Sequence, residues 1–322
     1  MGEVSRQASW SSVLTAPGDD IVAGVRSELR REYGLSADIL RFVPVGEDSW
    51  NFVADDRWWV SLRRDIRGHH PAAYGAAHAM AQRLDFIIGP EPTLDGRFVA
   101  TVQGAPLVVF RNVSGIPVAE LANDRETLAG EIAGLLGRLH REPLPPGIPV
   151  ESFDVPFASS LRDSLEWAEG GGDDSAGPLA PKLRAELAAS RSIARWILRE
   201  LARQGDACRN AQLPMVVTHG DVSERNVLRS ADGLVLIDWG GMAGAPAERD
   251  WFHIRRSFGS APRGNRRAEW FYEGRWIVSE LEEYASVLRR PHAGTSDDRA
   301  MWARFLFWLR RAEALFAQGS PG

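Results

Sequence analysis

Cysteine is nearly absent: Cys208 is the only one among 322 residues. A single thiol excludes an intramolecular disulfide framework and any cysteine-rich metal site. Lysine is as scarce. Lys182 stands alone in a Lys+Arg total of 38, so every other basic side chain is arginine, and a site needing a cation elsewhere must use one. Long apolar runs are missing too. The stretch from Trp302 to Leu309 is broken by Arg304, and nothing approaches the length that spans a bilayer. The opening residues lack a basic start followed by an apolar core, so no signal peptide is read there and a reduced, cytoplasmic location is expected. Positive charge is not in excess: 38 basic against 43 acidic side chains give a formal net charge of -5. Such a chain gains nothing from a phosphate backbone. The expected partner is a small molecule, cationic rather than anionic, with neither nucleic acid nor a membrane, bound by a monomer or homodimer.

What is present suits an ordered globular protein, with 44% hydrophobic and 25% charged residues and enough length for two modest lobes with a shared cleft. Ile21, Val22, Val25 and Leu29 predict an amphipathic helix, capped by Asp19 or Asp20 and stopped at Gly34. β-rich runs follow at Ile39 to Val45, Asn51 to Ala54 and Trp58 to Leu62, then a helix over Ala72 to Leu84, then strands near Phe98 to Val102 and Leu107 to Phe110. That order predicts one antiparallel sheet with its helix on one face. Afterwards the pattern turns helical. Leu128, Ile132, Leu135, Leu136 and Leu139 form a stripe, a long helix is read from Leu183 to Ala207, and the residues beyond Trp251 are helical and tryptophan-rich. The Gly/Asp-rich stretch from Gly170 to Gly177 is expected to be a mobile loop.

The chemistry concentrates between Val216 and Asp250. The run V-V-T-H-G-D-V-S-E-R-N-V-L places His219, Asp221 and Asn226 on a loop between two apolar strands, and L-V-L-I-D-W ends in Asp238 at the tip of another. Phosphoryl transfer needs a carboxylate to accept the acceptor hydroxyl's proton and two oxygen ligands to hold Mg²⁺ against nucleotide phosphates. Asp221, Asn226 and Asp238 reproduce the spacing of base, first ligand and second ligand in the protein-kinase template. H-G-D-x-x-x-x-N followed by I-D-W resembles the signature of aminoglycoside phosphotransferases and choline kinases; G-R-L-H at Gly137 to His140 and A-P-A-E-R-D-W at Ala245 to Trp251 extend the resemblance. It implies an α+β, bilobal, protein-kinase-like fold: a small antiparallel-sheet lobe over residues 1–112 that binds ATP or GTP, and a larger, mostly helical lobe over 113–322. It further implies Asp221 as catalytic base, His219 as support for its loop, and Asn226 and Asp238 as Mg²⁺ ligands.

The first lobe departs from that pattern. A nucleotide loop uses glycine so that backbone N–H groups can approach phosphates, yet V-G-E-D-S-W-N-F offers only Gly46, with Asp48 and Ser49 at the tip. Gly46, Ser49 and Val109 are the expected nucleotide contacts besides a cation. That cation is Arg63 in W-W-V-S-L-R-R, with Arg64 or a shifted register as rivals, standing where these families have lysine. The helix from Ala72 to Leu84 contains no Glu or Asp to pair with it; Tyr74, His78 and Gln82 remain open as its partner.

For the acceptor, Asp163, Glu166, Glu248 and Asp250, with Trp251 among them, are the candidate contacts for an amine-bearing ring compound. A-P-A-E-R-D with a later F-Y-E-G resembles spectinomycin-type antibiotic phosphotransferases. The alternatives are a kinase of choline, homoserine, a sugar or a macrolide, or a non-catalytic nucleotide-binding relative.

Overall fold

The computed structural model describes residues 15–46, 49–63, 68–121 and 124–321. The chain runs α1 (Asp19–Tyr33), β1 (Leu40–Val43), β2 (Ser49–Ala54), β3 (Trp58–Arg63), α2 (Pro71–Ala81), β4 (Ala100–Val102), β5 (Ala105–Arg111), β6 (Gly115–Pro117) and α3 (Arg125–Leu139). Next come α4 (Ala158–Glu169), α5 (Ala180–Ala189) and α6 (Arg191–Asn210), then the short strands β7 (Val216–Thr218), β8 (Val227–Ser230), β9 (Gly233–Leu236) and β10 (Ala243–Ala245). α7 (Glu248–Phe258), α8 (Arg266–Leu288) and α9 (Ser296–Gln318) follow. These elements divide into two compact units. One takes the chain up to Val150 with Val216–Ala245 and His253–Ala261; the other takes Glu151–Met215, Pro246–Phe252 and the residues from Pro262. The expected boundary at residue 112 falls inside the first unit.

In the first unit, five strands pair antiparallel in the order β1-β2-β3-β5-β4. β2 is buried along its whole length. α1 lays Ile21, Val25, Leu29 and Tyr33 against Phe52, Val60, Leu62, Leu107 and Val109, and each such side chain removed from water contributes about 1.5–3 kcal/mol. The Tyr33 hydroxyl donates to the Leu107 carbonyl at 3.0 Å and ties the helix to the sheet. Gly34, at φ 66°, ends the helix as expected, but its N-cap is Gly18, and Asp19 and Asp20 occupy the first turn. Carboxylates there still meet the helix's positive end. The same unit holds a three-stranded sheet, β6-β8-β9, and the pair β10-β7. These small sheets fix the ends of the loops 219–226 and 237–242.

The second unit is helical. Leu161, Leu165, Leu183, Leu187, Ile197, Leu198, Leu201, Phe271, Ile277, Phe305 and Leu315 share one core. Two expectations are corrected there. The long helix breaks at Ser190 (φ -93°, ψ 6°), giving α5 and α6, because the redirected chain lets the stripes on both sides of the break reach that core. The stretch 170–177 is a hydrogen-bonded turn rather than a loose loop. Asp173 accepts from Ser175 N–H at 2.8 Å, Asp174 pairs with Arg184 at 2.6 Å, and Gly172 N–H donates to Trp167 at 2.9 Å. Among the described residues, no helix is long and apolar enough to cross a membrane.

Candidate active site

β7 ends at Thr218 and β8 begins at Val227, so the intervening loop hangs between two strands anchored in different sheets. His219 is fully buried and organises it. Its Nδ1 accepts the Asp221 N–H at 3.2 Å, and its Nε2–H donates to the Ile237 carbonyl at 2.9 Å. One neutral ring thus pins the Asp221 loop to the residue before Asp238, and it packs on Trp239 with ring centroids 4.3 Å apart. A second tie runs in parallel: Ile237 N–H donates to the Asn226 carbonyl at 3.0 Å. Asn226 Nδ2 donates to both the Asp221 carbonyl, at 3.0 Å, and the Asp221 carboxylate, at 2.9 Å. With its nitrogen so oriented, the oxygen of the Asn226 amide is the atom suited to a cation.

Asp238 takes the left-handed backbone conformation at φ 66°, one that Asp tolerates better than most residues. Burial opposes ionisation of its carboxyl, but the neighbouring positive charge, Arg63's above all, outweighs this and holds its pKa below the ordinary carboxylate value. Arg63 Nη1 lies 3.8 Å and His69 Nδ1 3.9 Å from it. Among the described residues, no cluster of three or more His, Cys, Asp or Glu side chains makes a ready metal cage. Mg²⁺ does not require one, since it keeps waters and takes one or two protein ligands with phosphate oxygens. An ionised Asp238, following the Ile237 N–H that ties this turn to the Asn226 carbonyl, fits that donor set together with the Asn226 amide oxygen.

Further charge surrounds Asp221. From α7, His253 Nδ1 approaches its Oδ1 to 3.6 Å and Arg256 Nη2 to 4.0 Å. Neither residue stood out in the sequence; their i, i+3 spacing on a helix was the available signal. Arg63, at the end of β3, is buried, and its Nη2 donates to His69 Nε2 at 2.7 Å. Its rival Arg64 lies outside the described residues. Of the three candidate partners on the following helix, Tyr74 joins the arginine through His69, whose Nδ1 is 2.8 Å from the Tyr74 hydroxyl. His78 instead bonds the Pro90 carbonyl at 2.9 Å.

The nucleotide-loop candidates fare unevenly. Gly46 adopts φ 94°, where a side chain would be strained, and a Cβ would also press on Asn51 Nδ2 at 3.2 Å. Asn51 donates to the Val45 carbonyl at 2.8 Å and closes the turn; Asp48 lies outside the described residues. Ser49 is buried and its hydroxyl is engaged by Asn51 at 3.1 Å, so it braces the hairpin from within. Val109 is corrected. Its side chain is fully buried in the α1 core and its carbonyl accepts Glu91 N–H at 2.8 Å, because β5 is an interior strand with Val109 on its helix-covered face.

The acidic candidates in the second unit also separate. Asp250 has no exposed surface, so it is an internal counter-charge to Arg249 rather than a wall for a ligand. Glu248 is half-buried and accepts the Asn265 N–H at 2.6 Å, bracing the residue that caps α8. Glu166 borders an open pocket of about 340 Å³ together with Arg162, Arg195 and Arg199, whose positive charge makes it a poor ammonium site. Asp163 is exposed on α4 and Trp251 half-buried on α7. Sequence reasoning missed a buried ion pair here: Glu151 grips Arg275 through both oxygens at 2.8 Å, with the guanidinium lying over the Phe271 and Tyr272 rings.

Residues 40–284 match the model of the phosphotransferase enzyme family, APH. Protein StrN of Streptomyces griseus is 35% identical over 278 residues, 84% of this chain and 86% of that one. Among solved structures, spectinomycin phosphotransferase in complex with ADP and spectinomycin superposes with a TM-score of 0.65 at 15% identity, over 91% of this chain and 98% of that one. A choline/ethanolamine kinase family protein from Mesorhizobium loti gives 0.54 at 15% identity, over 92% and 94%. These similarities establish the bilobal, protein-kinase-like fold, with an N-terminal sheet and a C-terminal helical lobe.

Proposed function

Because the chain belongs to the phosphotransferase enzyme family, we propose that it moves the γ-phosphate of ATP, or of GTP, onto a hydroxyl of a small amine-bearing cyclitol or sugar. The observation that carries the reading is the cross-tied set Asp221, Asn226 and Asp238, braced by His219. Asp221 accepts the acceptor hydroxyl's proton as the new O–P bond forms and the bond from Pγ to its bridging oxygen breaks, releasing the nucleoside diphosphate. Asn226 and Asp238 are the residues that would hold Mg²⁺, which when bound neutralises phosphate charge. Arg63 supplies the cation for the nucleotide phosphates in place of lysine, using a planar fork suited to bidentate contact. Arg256 places positive charge on the Oδ1 side of Asp221, with the His253 ring beside it, and the two steady the carboxylate.

For the acceptor, support comes from the chain's acidic balance, from the exposed Asp163 and half-buried Glu248 and Trp251, and from the shared fold of a spectinomycin-bound relative. The test is nucleotide turnover with a panel of aminocyclitols, aminoglycosides, choline, homoserine, neutral sugars and macrolides. Turnover stimulated by an amine-bearing ring compound is expected. Asp221→Asn is expected to lower it by about 10²–10⁴-fold with MgATP affinity retained; wild-type turnover in that variant refutes the assignment of the base.

A further inference from the structure

A phosphate-binding cation on a kinase strand needs a group to hold it in place, and α2 offers no carboxylate. The residues around Arg63 form a different device. Arg63 can only donate, so its 2.7 Å bond to His69 means that Nε2 of the ring carries the lone pair and that the ring proton sits on Nδ1. Nδ1 in turn faces the Tyr74 hydroxyl at 2.8 Å, and Tyr74, on α2, is itself buried with its ring edge-on to Phe110. The backbone beside His69 is pinned as well. His70 N–H donates to the Gly240 carbonyl at 3.0 Å, and the His70 side chain caps α2 by accepting Ala72 N–H. The slot that receives the ring exists because residue 240 is glycine: a Cβ there would overlap the His69 imidazole. Gly240 lies two residues from Asp238, so the slot and the second metal-ligand candidate belong to one turn.

We propose that His69, backed by Tyr74 and seated over Gly240, is the positioning residue for the Arg63 phosphate clamp, in place of an acidic partner from the helix. The proposal rests on the reading of Arg63 given above. A carboxylate partner would neutralise the guanidinium and occupy two of its N–H groups at once. A neutral imidazole takes one N–H by hydrogen bonding alone and adds no charge of its own. That suits an arginine, whose fork is rigid and cannot lose its proton.

MgATP binding to the full chain, measured by isothermal titration calorimetry, tests this without an acceptor. His69→Ala is expected to raise Kd roughly 10- to 150-fold, the size of one charge-assisted hydrogen bond. His69→Gln, whose amide oxygen can accept from Arg63, is expected to recover most of the loss. Gly240→Ala is expected to reproduce it by displacing the ring while leaving Arg63 and His69 in the sequence. Because His69 acts through Arg63, Arg63→Ala/His69→Ala is expected to bind no worse than Arg63→Ala. A purely structural role would make the losses add and would not be rescued by Gln. Wild-type affinity in His69→Ala and Gly240→Ala, or additive losses in the double variant, overturns the proposal while leaving the clamp intact. Wild-type affinity in Arg63→Ala instead overturns the clamp, and the role of His69 with it. If His69→Ala fails to fold in circular-dichroism melts, the Gln and Gly240→Ala variants decide by the same comparison.

Discussion

Each nitrogen of the His219 ring has one task, so the two tasks can be removed separately. Asn places an oxygen near the Nδ1 position and can still accept the Asp221 N–H; Gln places a nitrogen near Nε2 and can still donate to the Ile237 carbonyl. Leu fills similar space and does neither. Leaving both backbone groups unbonded in a buried setting costs about 1–3 kcal/mol each, so His219→Leu is expected to destabilise the protein by roughly 2–6 kcal/mol. For a unit of this size that lowers Tm by about 4–24 °C. The catalytic consequence is expected to divide differently. Asp221 is aimed by the Nδ1 bond, and a misplacement on the order of 1 Å can cost about 10²-fold in rate. His219→Asn is therefore expected to keep kcat within about tenfold of wild type, while Gln and Leu lose more. Thermal melts followed by circular dichroism give the first quantity, and turnover with an acceptor from the panel the second. Equal kcat in the Asn and Gln variants refutes the idea that the Nδ1 bond aims the base, and a Leu variant melting at the wild-type temperature refutes the bridging role altogether.

In the second unit, Glu151→Gln leaves Arg275 and Arg249 without their shared carboxylate and is expected to cost about 3–5 kcal/mol, read by chemical denaturation; a loss below about 1 kcal/mol refutes it. Although burial pushes the Glu151 pKa up, Arg275 brings it below its ordinary value. Its contribution is therefore full above the unfolded pKa near 4 and lost as pH falls through the folded value, so the wild-type protein is expected to lose more stability on acidification than Glu151→Gln does. Burial and the nearby Glu248 push the Cys208 thiol up to about 11, so at pH 8 iodoacetamide is expected to label it only as fast as the protein opens, and rapid labelling of native protein contradicts this. For an amine-bearing acceptor, KM is expected to rise with ionic strength as the Debye length falls from about 10 Å at 0.1 M to about 3 Å at 1 M; a KM indifferent to salt favours a neutral acceptor.

The residues proposed to react were legible because phosphoryl transfer demands particular side chains at short, fixed spacing. Asp221 and Asn226 are bonded across five positions, and His219 meets the Asp221 backbone across two. Contacts that local are written into a loop, as the paired strands of the first unit are written into alternation and turns. What surrounds those residues was settled by packing from a distance. Val109 and Asp250 have the residue types and the neighbourhood of ligand contacts, yet both lie fully inside, since burial depends on which helix or strand covers a position. The Ser49 hydroxyl is consumed by Asn51 for a similar reason. Arg63 could be proposed as the cation, with Arg64 or a shifted register as rivals, but its partner could not be chosen. His69 reaches it only because Tyr74 from a helix and Gly240 from a turn far along the chain leave a slot of the right shape. His253 and Arg256, likewise, meet Asp221 only through the placement of α7. Sequence spacing determined which side chains form the candidate site; the fold decided which groups hold them, because hydrogen bonds and charge pairs between distant residues exist only once those residues are packed side by side.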